Sequence, residues 1–398
     1  MSKKLFSIVS ILSMLAMLLS ACGTAATTAA TVAATVAPAT TAATVAPATA
    51  VSTTTAAAAP VIPAQYMVNQ PQAFYADWVK TIGGEDFLFS PVKSKVTVGI
   101  LSVGNEMEYQ QVRDTAGKAI ASQMGINLIL DSFESDVATQ RTKSEDFVTR
   151  GVKCEISTSR DDASWISLGT YLNQNNVLFY GEGGTANSLT RAQLPNYIGY
   201  VGMSNYMNNY NGGVWAATYF TKTYPNEVPT MAVGNYPSAP VGHERADGFI
   251  AGFQSVRPDL VIAFNDGLGT LNSGRADVLP FIENLFTSKK FNIFYSIWDE
   301  PAMAALTAAQ ARGLTPKDLM IVGHDGTTET AKIIAQGNSM MVADIGQNPS
   351  LAGKVTTAIC GKLLDGELQM SQVPVFLYIP GFLITSDTAA QFLAQSAK

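Results

Sequence analysis

The chain has 398 residues, a formal net charge of −6 and a sequence isoelectric point of about 5.1. Because this acidic balance comes with no basic cluster, the composition argues against a nucleic-acid partner. The chain has two histidines and three cysteines, and no Cys/His pairs stand at metal-ligand spacing. We therefore predict no metal site and no cofactor.

Segment 1–22 has the pattern of a bacterial export signal, because Lys3 and Lys4 precede an apolar stretch and a small-residue cleavage site. The apolar stretch is about 15 residues long, too short to span a bilayer comfortably. The ending Leu19-Ser20-Ala21-Cys22 resembles the lipobox of bacterial lipoproteins, in which the cysteine is lipidated and becomes the N-terminus. We expect Cys22 to anchor an extracytoplasmic protein to the cell membrane; the alternative is an ordinary secretory signal with a nearby cysteine.

Residues 23–63 consist almost entirely of Ala, Thr, Val and Pro, without a charge or an aromatic residue. Such a composition cannot bury enough apolar surface to offset the entropy of ordering, so we predict a disordered linker. The lead-in 64–92 contains a predicted short helix at Gln72–Thr81. The rest of the chain is long enough for two domains with substantial cores.

From residue 95 onward, predicted strands alternate with predicted helices. The strands are Lys95–Ser102, Asn127–Asp131, Gly151–Ile156, Val177–Tyr180, Pro229–Val233, Leu260–Phe264, Asn292–Tyr295 and Leu319–Val322. The helices are Tyr109–Met124, Gly212–Tyr219, Arg245–Phe253, Asp277–Phe286 and Glu300–Arg312. This alternation predicts an α/β fold of two lobes with doubly wound parallel sheets, in which ligands bind at the carboxyl ends of the strands.

The two cysteines beyond the signal, Cys154 and Cys360, both stand in largely apolar surroundings. An oxidising compartment permits a disulfide between them, but two cysteines define no framework. The favoured interpretation is two buried free thiols.

Four segments of the second half match one family pattern in the same order. They are Gly242–Phe249 (Arg-x-x-Gly-Phe), Ile297–Ala305 (Asn-Asp-Glu-x-Ala-x-Gly-Ala), Ile321–Thr327 (Val-Gly-Phe-Asp-Gly-Thr) and Ala343–Pro349 (Ala-Gln-x-Pro). Through these segments the chain resembles the type I periplasmic binding proteins, specifically the ribose- and galactose-type solute-binding subunits of bacterial ABC importers. The resemblance covers roughly residues 95–395.

The resemblance implies two lobes joined by a three-segment hinge, with crossings near Met203–Asn205, Gln347–Pro349 and Gln372–Val375. The N-terminal lobe would comprise 93–203 plus 349–372, and the C-terminal lobe 204–348 plus 373–398. Such proteins bind a small molecule in the cleft and close around it by hinge motion. The implied protein is a monomer whose partners are a small-molecule ligand and the permease and ATPase of an ABC importer.

In the C-terminal lobe, the matched segments carry the expected ligand-binding residues. Asp325 is suited to accept hydrogen bonds from two adjacent hydroxyls, although an Asp-Gly pair also forms turns. Arg245 offers a planar pair of donors, unless it lies on a surface helix. Gln347 lies at a predicted crossing, and Trp298 either stacks on the ligand or fills the core. Asp299 and His324, from the same segments, complete this set.

In the N-terminal lobe, the expected ligand-binding residues are Glu106, Tyr109, Ser157, Tyr180 and Glu182. Here the chain departs from the ribose-type pattern, because Glu182 and the glycine after it replace an Asp-Arg pair, which puts a pentose or hexose ligand in doubt. If both glutamates faced one cleft with the aspartates of the other lobe, an amine-bearing or nucleoside-like ligand would fit. The alternative is that the glutamates face solvent at the rim.

The sequence favours a lipid-anchored solute-binding protein, without catalysis, that captures a sugar, polyol or nucleoside-like ligand for an ABC importer. A receptor that presents its ligand to a sensor kinase or chemoreceptor would have the same fold. A carbohydrate-active enzyme would need two carboxylates at a defined separation. The sequence contains no Gly-x-Ser-x-Gly elbow, phosphate-binding loop or metal motif, which argues against an enzyme.

Overall fold

The computed structural model describes residues 70–158, 160–182, 189–237, 239–268 and 274–396. Cys22 and the predicted linker lie outside these residues. In chain order, the strands are β1 (Gln72–Phe74), β2 (Thr97–Ser102), β3 (Asn127–Ser132), β4 (Cys154–Ser157), β5 (Leu178–Glu182), β6 (Tyr197–Gly202), β7 (Thr230–Asn235), β8 (Val261–Gly267), β9 (Ile293–Ser296), β10 (Met320–Asp325), β11 (Met341–Gly346), β12 (Phe376–Tyr378) and β13 (Phe382–Thr385).

Helices connect most of these strands, as expected for parallel sheets. They are α1 (Tyr75–Thr81), α2 (Gly84–Leu88), α3 (Glu108–Met124), α4 (Val137–Thr149), α5 (Asp162–Gln174), α6 (Asn205–Thr223), α7 (Pro240–Val256), α8 (Arg275–Ser288), α9 (Asp299–Ala311), α10 (Thr328–Ala335), α11 (Pro349–Leu364) and α12 (Ala389–Ser396). None of the helices in the described ranges is long and apolar enough to cross a membrane.

The strands form two sheets, one in each lobe. The first sheet has the order β1-β12-β6-β5-β4-β2-β3, and the strands run parallel. The second has the order β13-β11-β10-β9-β7-β8 and is parallel except for β13, which pairs antiparallel with β11. Apolar side chains are buried on both faces of each sheet. The predicted class, α/β with two doubly wound lobes, is confirmed.

The chain passes between the lobes in three places, after β6, after β11 and after β12. The first two passages lie in the segments expected from the sequence. The third lies between Tyr378 and Phe382, later than the expected Gln372–Val375. The reason is that β12 pairs in parallel with β6 and therefore belongs to the first lobe. β6 and the segment before β12 come so close that position 199 requires a glycine, because an added Cβ would stand 2.1 Å from the carbonyl oxygen of Val375.

The lead-in also belongs to the first lobe. Part of the predicted helix Gln72–Thr81 is instead strand β1, because Gln72–Phe74 pairs in parallel with β12. Helix α1 then packs Trp78 into the core, where its Nε1 donates to the carbonyl oxygen of Gln372 at 2.7 Å. The first sheet thus continues beyond the segment assigned to it from the sequence.

The expectation of two free thiols is wrong, because Cys154 and Cys360 form a disulfide. Cys154 lies on β4 and Cys360 on α11, so the bond ties the segment after the second crossing to the first sheet. The two cysteines are 206 residues apart in sequence. In the chain-entropy account, closing so long a loop stabilises the fold by about 5 kcal/mol.

Candidate ligand-binding cleft

Loops at the carboxyl ends of strands from both sheets converge on one cavity between the lobes, which has a volume of about 90 Å³. Since one water molecule needs roughly 10–15 Å³ of such space, the cavity holds a few waters. Its lining residues are Val103, Met107, Tyr109, Gln110, Thr158, Arg160, Tyr236, Ala239, Val241, Arg245, Ile297, Trp298, Asp325 and Gln347. Five of the predicted site residues therefore meet here: Tyr109, Arg245, Trp298, Asp325 and Gln347.

Asp325 ends β10 and presents its carboxylate to the cavity. Its φ of 125° lies in the left-handed region, which aspartate tolerates better than most residues. Oδ1 accepts a hydrogen bond from Nε2 of Gln347 at 2.7 Å, and Nη1 of Arg245 lies 3.5 Å from the same oxygen. Within the described ranges, all the hydrogen bonds to this carboxylate use Oδ1. Oδ2 is therefore left to accept a hydrogen bond from a ligand.

Arg245, on α7, is held in place from two directions. Its Nε donates to Oδ1 of Asn205 at 3.0 Å, and its Nη1 donates to the carbonyl oxygen of Ile297 at 2.7 Å. Asn205 begins the first helix after a crossing, and Ile297 follows a strand of the second sheet. These contacts fix the guanidinium plane against the cavity, which rules out the surface-helix alternative for Arg245.

His324 lies behind Asp325 and does not line the cavity. It is fully buried, and its Nδ1 stands 3.2 Å from Oδ1 of Asp325. Burial, with a smaller contribution from the charge of Arg245, lowers the pKa of His324 to about 4. The ring is therefore neutral at pH 7, and a proton on Nδ1 would donate to Asp325. His324 therefore contacts the Asp325 carboxylate from behind the cavity wall.

Aromatic side chains form part of the apolar wall of the cavity. Tyr109 comes from the first lobe, whereas Trp298 and Tyr236 come from the second. Trp298 also packs against the apolar cores on both faces of the second sheet, so it combines the two alternatives left by the sequence. Polar groups beside aromatic faces are the combination that sugar and polyol recognition requires.

Glu182 is buried behind the cavity wall and carries an ion pair. Its Oε2 accepts from Nη1 of Arg113 at 2.8 Å, and its Oε1 accepts from the hydroxyl of Tyr109. The Arg113 guanidinium also reaches Asp114 at 2.7 Å. Because its charge is paired inside the protein, Glu182 does not make the cleft acidic, and the expectation that it faces the ligand is not met.

Asp299 is also buried behind the wall, next to Asp344 of β11. Oδ1 of Asp299 accepts from the backbone N–H of His324 at 3.2 Å, and Oδ2 accepts from that of Thr327 at 2.9 Å. Oδ1 of Asp344 accepts from the N–H of Gly326 at 3.0 Å. Burial, followed by repulsion from Asp344, raises the pKa of Asp299 well above its ordinary range. The pair holds the turn that carries Asp325.

The remaining predicted residues lie elsewhere. Ser157 is buried and donates to the carbonyl oxygen of Leu101 at 3.1 Å, and Tyr180 is fully buried in the first core. Glu106 is exposed and lines a separate groove between the lobes. Of the four carboxylates that the sequence analysis grouped in one acidic cleft, only Asp325 lines the cavity.

The sequence analysis missed several lining residues, above all Arg160, Thr158 and Tyr236. Arg160 and Thr158 lie in the loop that begins at Ser157, so the position of that loop after β4 was the available signal. The guanidinium carbon of Arg160 stands 4.5 Å from the ring centre of Tyr236, which follows β7 of the other lobe. Nothing local in the sequence indicates that these two loops meet.

The lobes also touch beside the cavity. Oε1 of Glu108, the first residue of α3, accepts a hydrogen bond from the backbone N–H of Thr328 at 2.7 Å. Thr328 begins α10 of the second lobe, and a helix N-terminus favours a negative charge. With the contact between Arg160 and Tyr236, this bond holds the two lobes together on either side of the cavity. Two sheets in two lobes, with a cavity between the lobes, define a two-lobed α/β class.

Comparisons with known proteins agree with this class. A family model described as a periplasmic binding protein domain matches residues 196–368. The ribose import binding protein of Escherichia coli is 23% identical over 279 residues, which is 70% of this chain and 88% of that protein. The ribose import binding protein of Haemophilus influenzae is 23% identical over 270 residues, 67% of this chain and 85% of that protein.

Solved structures share the fold at similar identity. The Caulobacter myo-inositol binding protein bound to myo-inositol has a TM-score of 0.63 and 20% identity, covering 77% of this chain and 99% of that chain. An ABC transporter solute binding protein from Mycobacterium smegmatis with bound glycerol has a TM-score of 0.65 and 19% identity, covering 75% and 97%. The family-model match and these shared folds support the resemblance to type I periplasmic binding proteins that the motifs predict.

Proposed function

We propose that the protein captures a small polyhydroxylated solute, a sugar or polyol, between its lobes and delivers it to an ABC importer. The observation that carries this proposal is Asp325, whose Oδ1 is held by Gln347 and Arg245 while Oδ2 is left for ligand hydroxyls. The named ligands of similar proteins, ribose, myo-inositol and glycerol, are all polyhydroxylated. The aromatic wall supplies the apolar contact that such ligands also need.

The charge of the cavity favours a neutral or acidic ligand over an amine. Arg160 and Arg245 line it, against the single carboxylate of Asp325. A cationic amine would add a positive charge where the lining already has an excess of one, at a cost that is larger in a poorly solvated cavity. The amine-bearing ligand considered from the sequence depended on glutamates that do not line the cavity, which removes its main support.

The same lining supports a binding protein without catalysis. Glycoside hydrolysis in its usual forms needs two carboxylates that flank the scissile bond. Asp325 is the single carboxylate among the lining residues, and Asp299 and Glu182 are buried behind the wall. In the described part of the chain, no cluster of histidine, cysteine and acidic side chains is arranged to hold a metal ion. Binding and release are therefore the activities that we propose.

We further propose that a lipid on Cys22 tethers the protein outside the cytoplasm, with residues 23–63 as the spacer. The disulfide between Cys154 and Cys360 supports an oxidising compartment, because such bonds are rare in the cytosol of most organisms. Detergent phase partitioning tests the anchor. The full chain should enter the detergent phase, and Cys22→Ser should remain in the aqueous phase. Equal partitioning of both forms would contradict lipidation at Cys22.

Thermal unfolding in the presence of candidate solutes tests the binding function, because a ligand that binds only the folded state raises the midpoint. The panel is D-ribose, D-allose, D-glucose, D-glucuronate, myo-inositol and glycerol, added to the full chain carrying Cys22→Ser. At least one sugar or polyol should raise the midpoint. Asp325→Asn keeps a residue that tolerates positive φ and should remove the shift, whereas the exposed Asp387→Asn should not. A folded, ligand-free protein that responds to none would contradict the proposal.

A further inference from the structure

Among the residues that the structure describes, the guanidinium of Arg160 has no salt-bridge partner. The residue lines the cavity, and its guanidinium stacks over Tyr236. Its Nε is buried and has no hydrogen-bond partner, and within the described ranges Arg160 forms no ion pair. All the aspartates and glutamates of the chain fall within those ranges. The carboxylate of the neighbouring Asp161 makes only the smallest contribution to the pKa of Arg160, and it accepts from the backbone N–H and the hydroxyl of Ser164 instead of pairing with the guanidinium.

Other buried or half-buried arginines of the chain are fully engaged. Arg113 pairs with Glu182 and Asp114, and Arg245 reaches Asn205, a carbonyl oxygen and Asp325. Arg191 donates to four backbone carbonyl oxygens, those of Tyr197, Ile198, Met370 and Val373. Arg160 differs from these arginines because its buried Nε has no hydrogen-bond partner.

An unpaired cation in a poorly solvated wall is unfavourable, and burial lowers the pKa of Arg160 from its ordinary range. A guanidinium nevertheless remains charged at neutral pH. Since the charge of Arg245 is offset by Asp325, the lining keeps one positive charge in excess, and that charge is carried by Arg160. A bound molecule with one negative charge would neutralise it.

We propose that the ligand is an acidic sugar or polyol, such as a uronate or an aldonate, and that Arg160 binds its carboxylate. Arginine offers a carboxylate two parallel N–H donors in a geometry that matches its two oxygens. Asp325 and Arg245 then receive the hydroxyl groups at the other side of the cavity. A single excess charge fits a carboxylate better than a phosphate dianion, which would need a second cation. This ligand class rests on the proposed function of the cleft.

Arg160 also makes closure of the two lobes depend on the charge of the ligand. It comes from the first lobe and stacks on Tyr236 of the second. A carboxylate held by Arg160 would offset the charge that the closed lobes otherwise bury. An acidic ligand should therefore stabilise the closed form more than a neutral sugar of the same size.

Calorimetric titration of the full chain carrying Cys22→Ser with matched ligands tests the inference. The pairs are D-glucuronate with D-glucose, and D-gluconate with D-glucitol. At least one acid should bind about tenfold or more tightly than its neutral counterpart, as expected for a charge-assisted contact. Arg160→Gln should weaken binding of the acid by about 30-fold or more, the lower limit for truncating one partner of a buried charge pair. It should leave the neutral ligand nearly unaffected.

Arg141→Gln is the matched control, because Arg141 also stacks on a tyrosine, at 3.9 Å from the ring centre of Tyr171, and does not line the cavity. It changes the net charge equally and should leave both affinities unchanged. Neutral sugars that bind as tightly as the acids, or equal losses in Arg160→Gln for both, would overturn the inference while leaving the proposed function intact. If no sugar or polyol of either kind binds, the proposed function itself fails.

Discussion

Each lobe buries carboxylates behind the cavity wall, but the two lobes neutralise them in different ways. In the first lobe, Glu182 is paired with the cation Arg113 and also accepts from Tyr109, which lines the cavity. In the second, Asp299 lies beside another carboxyl, Asp344, and within the described residues neither forms an ion pair. The first arrangement positions an aromatic side chain, and the second positions the turn that carries Asp325.

The ion pair and the carboxyl pair respond differently to pH and to the loss of one partner. A buried ion pair keeps its charges over the whole neutral pH range, and losing one partner leaves the other unpaired. Two buried carboxyls in contact cannot both be ionised without a large cost, so such a pair retains a proton. Oδ2 of Asp344 has no hydrogen-bond partner, whereas both oxygens of Asp299 accept from backbone N–H groups. The pKa of Asp299 is raised further than that of Asp344, but backbone N–H groups already donate to both oxygens of Asp299, so we expect the pair to share one proton between Asp299 and Oδ2 of Asp344.

The largest effect should follow from breaking the ion pair of the first lobe. Arg113→Leu leaves Glu182 buried without a cation and should lower the free energy of unfolding by about 3–5 kcal/mol. Arg150→Leu removes an exposed arginine paired with Asp146 and should cost less than about 1 kcal/mol. Urea unfolding of both variants measures the difference. Equal, small losses would show that Glu182 does not depend on Arg113.

In the second lobe, the two carboxyls should respond unequally to replacement by asparagine. Asp344→Asn keeps an acceptor for Gly326 and gains a donor toward Asp299, so it should cost less than about 1 kcal/mol. Asp299→Asn must lose one of its two backbone hydrogen bonds and should cost about 2 kcal/mol. Urea unfolding again gives the free energies. If Asp344→Asn proved the more damaging, the proton would be misassigned.

The last effect is a pH dependence of stability that arises from Asp344. Burial raises the pKa of Asp344 from 3.8 to about 6. A carboxyl with a raised pKa in the folded state stabilises the fold at low pH, and this contribution is lost as the pH rises through the folded value. Asp344→Asn should remove a loss of about 2 kcal/mol between pH 4 and pH 7, relative to wild type, because the shift is about two pKa units and one unit corresponds to about 1.4 kcal/mol.

Glu155 provides the control for that pH dependence. It is buried on β4 of the first lobe, and burial raises its pKa to about 7. Glu155→Gln should therefore also flatten the stability profile, but it should not alter the amide shifts of Gly326 and Thr327 as the pH changes. In wild type those amides should titrate, and in Asp344→Asn they should not. Titration that persists in Asp344→Asn would contradict a proton shared with Asp299.

Much of the fold could be predicted because its central strands are continuous apolar runs bounded by polar loops, as at Lys95–Ser102 and Leu319–Val322. Strand β6 was missed because Gly199 and Gly202 interrupt its apolar pattern. The third crossing was misplaced because β12 is three residues long between prolines. Which sheet it joins depends on pairing with β6, which no local pattern reports.

The candidate site, like the fold, could be predicted from the sequence only in part. The matched segments predicted Asp325, Arg245 and Gln347 in one cleft, since Asp325 ends a strand of the second sheet, Gln347 follows one, and Arg245 lies near the start of the helix after another. Glu182 has the same local signature at the end of a strand, yet its role depends on Arg113, which is 69 residues away in sequence. Arg160 was missed for the same reason, because its contact with Tyr236 joins loops of two different lobes.

A crystal structure of the protein with a bound sugar, sugar acid or polyol tests the central claim most directly. The account predicts the ligand in the cavity between the lobes, with a hydroxyl donating to Oδ2 of Asp325 and an aromatic face of the wall against its carbon atoms. A ligand bound elsewhere, or one in the cavity that makes no contact with Asp325, would contradict it.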